Sequence, residues 1–433
     1  MEVSERLVGS PAFKAGGMGD PCPAGSIPVH LRHPWPAAHH NGRGVVIAYH
    51  RRPMTDASLP ELPTLFDGEP QHHVFPYLHE FLPSVRMEAA PTPYVFPVGE
   101  PLDFPETHEH EGVRSTAEFL IDTDTVALLV VQHGELRHEQ YWLTGGRDVQ
   151  WISWSVAKSF VSTLIGIAIA DGHIGGIDEI ISDYATALRG SAYDGVSIED
   201  VLQMSSGARW YEDYSDPSSD VHGLVRTMTG EITLEEFVAG IPREHPPASL
   251  CRYNSADTQA LGLLLRAATG RTIADYMHEK LSVPLGMEAP GYWLTDHEHV
   301  EMAYGGLMLA PHDFAKLGEL FRRGGDWFGT QIVPADWVAA STTYDKPHTQ
   351  PGAPEIGGMS LPDGYGYQWW LNPGSRRAYE AVGIYNQYVH IDPPSSSVIV
   401  KLSANRRYGT DNTQAASRDI ETARFFNAVI DAL

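Results

Sequence analysis

The sequence predicts a mixed α/β chain of the α+β kind, with strands, then a long and mainly helical stretch, then strands again and a closing helix. Three observations predict it. Two apolar runs, 126–132 and 136–142, flank His133-Gly134 and read as an antiparallel hairpin about a tight turn. Apolar residues then recur at helical spacing in several separated stretches from 155 to 281. Strand character returns only in 387–391 and 397–402, ahead of an amphipathic run over 415–430.

Residues 1–112 have a different texture. Prolines recur through them, from Pro21 and Pro23 to Pro101 and Pro105, beside paired histidines, and one strand-like run, 45–49, interrupts them. The expectation is an irregular Pro-rich extension that wraps a surface or stays partly disordered. Thr107-His108-Glu109-His110-Glu111 is its best metal candidate, yet it lacks the H-E-x-x-H spacing that sets two ligands on one helical face. These histidines are therefore read as solvated loop residues, and neither metal nor cofactor is expected. After the 126–142 hairpin comes the stretch opening at Trp154-Ser155-Val156-Ala157-Lys158. Leu164, Ile165, Ile167, Ala168 and Ile169 make its later turns apolar nearly all round, which predicts a buried helix ending near Asp171-Gly172. Ser197-Ile198-Glu199-Asp200 carries a capping signal and opens a short helix toward Met204. Helical spacing resumes over 258–268 and 273–281, with Gly270 between them.

Composition excludes several classes. A formal net charge of -25 over 433 residues argues against nucleic acid, whose phosphates want clustered Lys and Arg, and equally against an anionic membrane surface. No run approaches the ~18 apolar residues of a membrane span, and Met1 to Arg6 lack the basic start and apolar run of a signal peptide, so a cytoplasmic location is expected. Cys22 and Cys251 are too few for a disulfide framework, and sequence leaves open whether they meet. Oligomeric state is likewise open, a homodimer included.

The chemistry centres on Ser155 and Lys158. Three residues apart on a helix, they leave the same face about one turn from each other. Serine is a poor nucleophile until a neighbour takes its proton, and a lysine shielded from water has its pKa lowered toward that task. The helix start adds free N–H groups and a positive dipole end, both suited to an oxyanion. A lysine at the mouth of a buried helix also needs a reason, since desolvating an ammonium is costly. This constellation predicts a serine hydrolase.

Two further patterns follow in order: Arg252-Tyr253-Asn254-Ser255-Ala256-Asp257 and Ala381-Val382-Gly383-Ile384-Tyr385-Asn386-Gln387. With Ser155-Val156-Ala157-Lys158 they resemble the three boxes of the serine β-lactamase and penicillin-binding-protein superfamily. Leu202 to Gly207, Tyr211 to Pro217, Pro284 to Met287 and Gly305-Gly306-Leu307 bring the resemblance nearer the 6-aminohexanoate-dimer hydrolase and family VIII carboxylesterase branch. The resemblance implies a beta-lactamase-like fold, an antiparallel sheet flanked by helices with an inserted helical lobe. Over 113–433 the sheet lobe would span 113–154 and 375–433, and the helical lobe 155–374. It also implies roles. Ser155 would attack the carbonyl, Lys158 would accept or relay its proton, and Tyr253 would protonate the leaving group. Tyr253, near an ammonium, is expected to reach phenolate character more easily. The oxyanion hole would come from the backbone N–H groups of Ser155 and Ile384. Tyr214 matches a loop tyrosine that closes over substrate, and Glu212, Ser255, Trp370 and Tyr385 are the other substrate-binding candidates.

Departures from the pattern bear on substrate. Ser255 stands where lactamases carry asparagine, and Ala381-Val382-Gly383 lacks the lysine that helps them hold a substrate carboxylate. The expected substrate is a small-molecule ester or amide. The alternatives are an amidase of 6-aminohexanoate oligomers and an inactive, ligand-binding member of the fold.

Overall fold

The computed structural model describes residues 65–433. Strand β1, Ser84–Met87, comes first, followed by β2, Thr125–Gln132, and β3, Glu135–Tyr141. The two-residue link between β2 and β3 puts His133 at φ 53° and Gly134 at φ 81°, the left-handed pair that a tight hairpin turn demands. Then come β4, Trp151–Ile152, and helix α1, Ala157–Ala170, preceded by the 3-10 turn Trp154–Val156. Helix α2, Ser255–Thr269, starts on an Asn254 cap whose side chain accepts from Ala256 and Asp257 N–H, and ends on left-handed Gly270. Strands β5, Gly291–Leu294, and β6, Leu307–Leu309, precede helix α3, Pro311–Arg322. The chain closes with β7, Gly364–Tyr365, β8, Trp370–Leu371, β9, Tyr379–Gly383, β10, Gln387–Asp392, β11, Ser397–Ser403, and helix α4, Asp419–Asp431.

Seven of these strands form one antiparallel sheet in the order β7-β8-β9-β10-β11-β2-β3. Every residue of β2 is buried, as expected of a strand covered on both faces. One cover is α3. A Cβ on its Gly318 would stand 2.5 Å from Val398 and 2.9 Å from Val389, so glycine sets how closely this helix lies on the sheet. The other cover is α4, whose Phe425, Phe426, Val429 and Ile430 close over Leu128, Val130, Tyr388 and Ile399. Each such side chain contributes about 1.5–3 kcal/mol on burial. In the helical part, α1 packs on α2. A second, four-stranded sheet runs β1-β5-β6-β4 and ends directly ahead of Ser155.

Several expectations need correction. The stretch 155–374 is not helical throughout: β5 and β6 lie inside it, and β7 and β8 belong to the large sheet, so that sheet gathers its strands from 364 onward rather than 375. Strands of two to four residues offer too few alternations to register as a period. The closing run breaks at Arg418, φ 60°, into Gln414–Ser417 and α4. His108 is not a solvated loop residue. It lies buried on the short strand Thr107–Glu109, its ring nitrogens 3.4 Å from Thr116 Oγ1 and 3.3 Å from Glu421 Oε1. Residues 65–112 contribute β1 to a sheet besides their irregular chain. Cys251 is buried; Cys22 and the run 45–49 fall outside the described residues. Among the described residues no helix is long and apolar enough to cross a membrane.

Candidate active site

The site is built where α1, the start of α2 and the end of β9 converge. Ser155 sits in the 3-10 turn that leads into α1, just after Trp154, which holds φ 44°. A left-handed tryptophan is costly and persists only because its surroundings over-determine it, a kind of strain that concentrates at functional sites. One turn on, Lys158 is 2% exposed, while Ser155 remains half-buried. Lys158 Nζ lies 2.8 Å from Ser155 Oγ, 3.1 Å from Ser255 Oγ and 2.7 Å from the Tyr304 carbonyl oxygen. Burial pushes its pKa down to about 8, against the opposing pull of the Glu212 carboxylate.

These three partners serve both protonation states: an ammonium donates to all three, and a neutral amine has two N–H donors and one lone pair to share among them. The Tyr304 carbonyl can only accept. Ser255 gives its own proton to Glu212 Oε1 at 2.8 Å, so it too accepts from Lys158. In the neutral form the lone pair is left for the Ser155 hydroxyl, and Lys158 can then take up the Ser155 proton; as an ammonium it donates there instead.

Glu212 anchors the network from behind. It is buried, and its carboxylate accepts from Ser255 N–H at 3.0 Å, Ser255 Oγ, Trp210 Nε1 at 2.7 Å and the Tyr214 hydroxyl. It sits at the N-terminus of α2, where the helix dipole favours negative charge. With its oxygens so occupied, Glu212 holds Ser255 and Tyr214 in place. That is a different position from the substrate contact expected of it.

Tyr253 faces the pair from the other side, its ring centroid 5.1 Å from Lys158 Nζ. Its neighbourhood corrects the expectation of phenolate character: burial, then the Glu212 charge, hold the phenol well above its usual pKa, and the contact with Ser155 does not offset them. Tyr253 is thus held as the neutral phenol. Trp370 stacks on it at 5.3 Å and 22°. Tyr385 is buried beside Trp154, with ring centroids 5.9 Å apart.

The last strand end fits tightly. A Cβ on Gly383 would stand 2.6 Å from the Ser153 carbonyl oxygen and 3.1 Å from Ser155 N, so only glycine lets β9 approach this backbone. Ile384 follows at once, on the turn to β10. Gln387 pins that turn: its Nε2 donates to the Ile384 oxygen at 3.0 Å and the Tyr385 oxygen at 3.1 Å, and its Oε1 accepts from Trp151 Nε1 and Ser403 N–H, each at 3.0 Å.

With this geometry in view, the chain can be set against known proteins. A profile of the family described as Beta-lactamase matches residues 113–424. The chain belongs to the beta-lactamase family. It is 28% identical over 293 residues to the 6-aminohexanoate-dimer hydrolase of Paenarthrobacter ureafaciens, covering 66% of this chain and 74% of that protein. Among solved structures, a Bacillus anthracis protein assigned as a 6-aminohexanoate-dimer hydrolase matches with a TM-score of 0.73 at 22% identity, over 83% of this chain and 93% of that one. A family VIII carboxylesterase matches with a TM-score of 0.55 at 15% identity, over 73% and 95%. These two structural likenesses speak to the fold. This beta-lactamase-family protein therefore has a hydrolase fold with amidase and esterase neighbours.

Two parts of the network were not singled out from sequence. The Tyr304 carbonyl is a backbone group, for which the following Gly305-Gly306 was the only mark. Gln387 was quoted only as the end of the third box, and its reach to four backbone and side-chain partners leaves no trace in spacing.

Proposed function

We propose that this beta-lactamase-family protein is a serine hydrolase that cleaves small carboxylic esters or amides through an acyl-enzyme on Ser155. The observation that carries the reading is the 2.8 Å contact between Ser155 Oγ and a buried Lys158 whose other two partners accept hydrogen bonds. Lys158 takes the Ser155 proton as Oγ attacks the carbonyl carbon. The tetrahedral oxyanion is received by the N–H groups of Ser155 and Ile384. Tyr253 gives its phenolic proton to the departing oxygen or nitrogen, and water then releases the acid. A phenol held this high is a weak acid, which supports esters ahead of amides, because an amine leaving group leans harder on its proton donor. The amide reading keeps support from the 28% identical 6-aminohexanoate-dimer hydrolase.

The test is hydrolysis of a short-chain p-nitrophenyl ester with and without chelator, by wild type and Ser155→Ala. Activity indifferent to chelator and lost in the variant is expected. A silent wild type that a fluorophosphonate probe leaves unlabelled overturns the proposal and favours the ligand-binding alternative.

A further inference from the structure

Ahead of the family-matched part of the chain, Phe66 reaches into the neighbourhood of the site. Its ring stacks on Tyr385 at 5.5 Å and 8°, lies 4.9 Å from Tyr214, and meets His222 edge-on at 5.8 Å. Its N–H donates to Tyr385 Oη at 3.1 Å. Tyr408 completes a circuit of four rings, 6.1 Å from Tyr214 and 5.9 Å from Tyr385. The circuit joins the 211–222 loop, which carries Glu212, to the turn that carries Ile384.

Two details show that this seat is specific. Phe66 holds φ 68°, a conformation a phenylalanine keeps only when its packing repays the strain. Gly409 stands where any Cβ would run into the Phe66 ring and come within 2.9 Å of Tyr214 Cβ. The sheet side of the circuit is thus cut away to admit both rings. Phe66 packs on Tyr214, whose hydroxyl bonds to Glu212.

We infer that Phe66 is a specificity-determining residue: by clamping Tyr214 against the Tyr385 turn it limits the length of the substrate chain that can reach Ser155. This rests on the serine-hydrolase reading. Removing the ring vacates the space between Tyr214 and the Tyr385 turn, so the gain should go to substrates with long apolar chains.

The experiment compares kcat/KM for p-nitrophenyl acetate and p-nitrophenyl octanoate in wild type, Phe66→Ala and Phe66→Leu. The octanoate-to-acetate ratio should rise about tenfold in Phe66→Ala, mainly through KM for octanoate, and by less in Phe66→Leu, which keeps apolar bulk. Labelling by a small fluorophosphonate reports that each variant folds with a reactive Ser155. A ratio that stays within twofold in both labelled, folded variants overturns the inference and leaves Phe66 a packing residue. If Phe66→Ala does not fold, the Phe66→Leu ratio decides. A wild type that neither hydrolyses these esters nor labels sinks the hydrolase reading, and this inference with it.

Discussion

Two lysines in this molecule are almost indistinguishable as buried cations. Lys158 and Lys401 are both shut away from water, both lowered by desolvation, to about 8 and about 7, and both bonded to two side-chain hydroxyls. Lys401 projects from β11 and reaches Thr123 Oγ1 at 3.1 Å and Ser403 Oγ. The difference lies in the hydroxyls. Thr123 and Ser403 are themselves fully buried, inside the sheet and its cover, whereas Ser155 is half-buried in a strained turn. Both lysines are lowered by burial, but of the two only Lys158 has a partly exposed hydroxyl beside it. A depressed pKa is thus a property of burial, and a site begins where burial stops one atom short.

The comparison can be broken most directly at the hydroxyl. Ser155→Ala should lower kcat/KM for a p-nitrophenyl ester by on the order of 10⁴-fold, and Lys158→Ala nearly as much, since nucleophile and base act as a unit. Lys401→Met should stay within twofold of wild type in the same assay; a large loss there would show that the sheet lysine is coupled to the reaction.

Tyr253→Phe comes next. Its loss of roughly 10²–10⁴-fold should appear with alkyl esters and amides, and should shrink with a p-nitrophenyl ester, whose leaving group needs no proton. Equal losses on both would assign Tyr253 to Ser155 activation instead.

Glu212→Gln should then cost about 100-fold, through misplacement of Ser255 and Tyr214. Because the Glu212 charge raises the Lys158 pKa, its removal should also move the rising limb of the kcat/KM pH profile, expected near pH 8 in wild type, to lower pH. A limb that does not move would separate Lys158 from the rate.

The smallest effect concerns stability. Lys401 titrates in the folded state near 7 against an ordinary value of 10.5, so between those values the unfolded chain binds more protons and stability rises with pH. Below about 7 the full penalty is present, and above 10.5 it is gone. Lys401→Met should flatten this slope in urea melts taken from pH 7 to 10, by an amount up to a few kcal/mol at roughly 1.4 kcal/mol per unit.

How much of this was legible in sequence follows from what kind of contact each feature uses. Ser155 and Lys158 are one helical turn apart, so spacing alone places them together. The hairpin, the Ser197 cap and Gly270 were readable for the same reason, each being decided by neighbours within a few residues. Tyr253 entered through a pattern, and its environment was then misjudged: the nearby ammonium was visible, but the burial that outweighs it was not. Glu212 is expected as a substrate contact because its partner Ser255 lies far along the chain. His108 was misread likewise, its partner Glu421 being supplied by the last helix. The short strands β5 and β6 owe their state to pairing with each other and with β1 and β4, and a window of three or four residues carries no such information.

Strand β1 sets a practical boundary. It lies outside the 113–424 stretch shared with the family, yet it pairs along the whole of Gly291–Leu294 from Ser84 to Met87. A protein trimmed to the shared stretch would expose that backbone edge, an open template for another chain, and would lose the guard that β1 offers through Arg86 and the prolines around it. Clumping of such a truncated form would then report a missing strand.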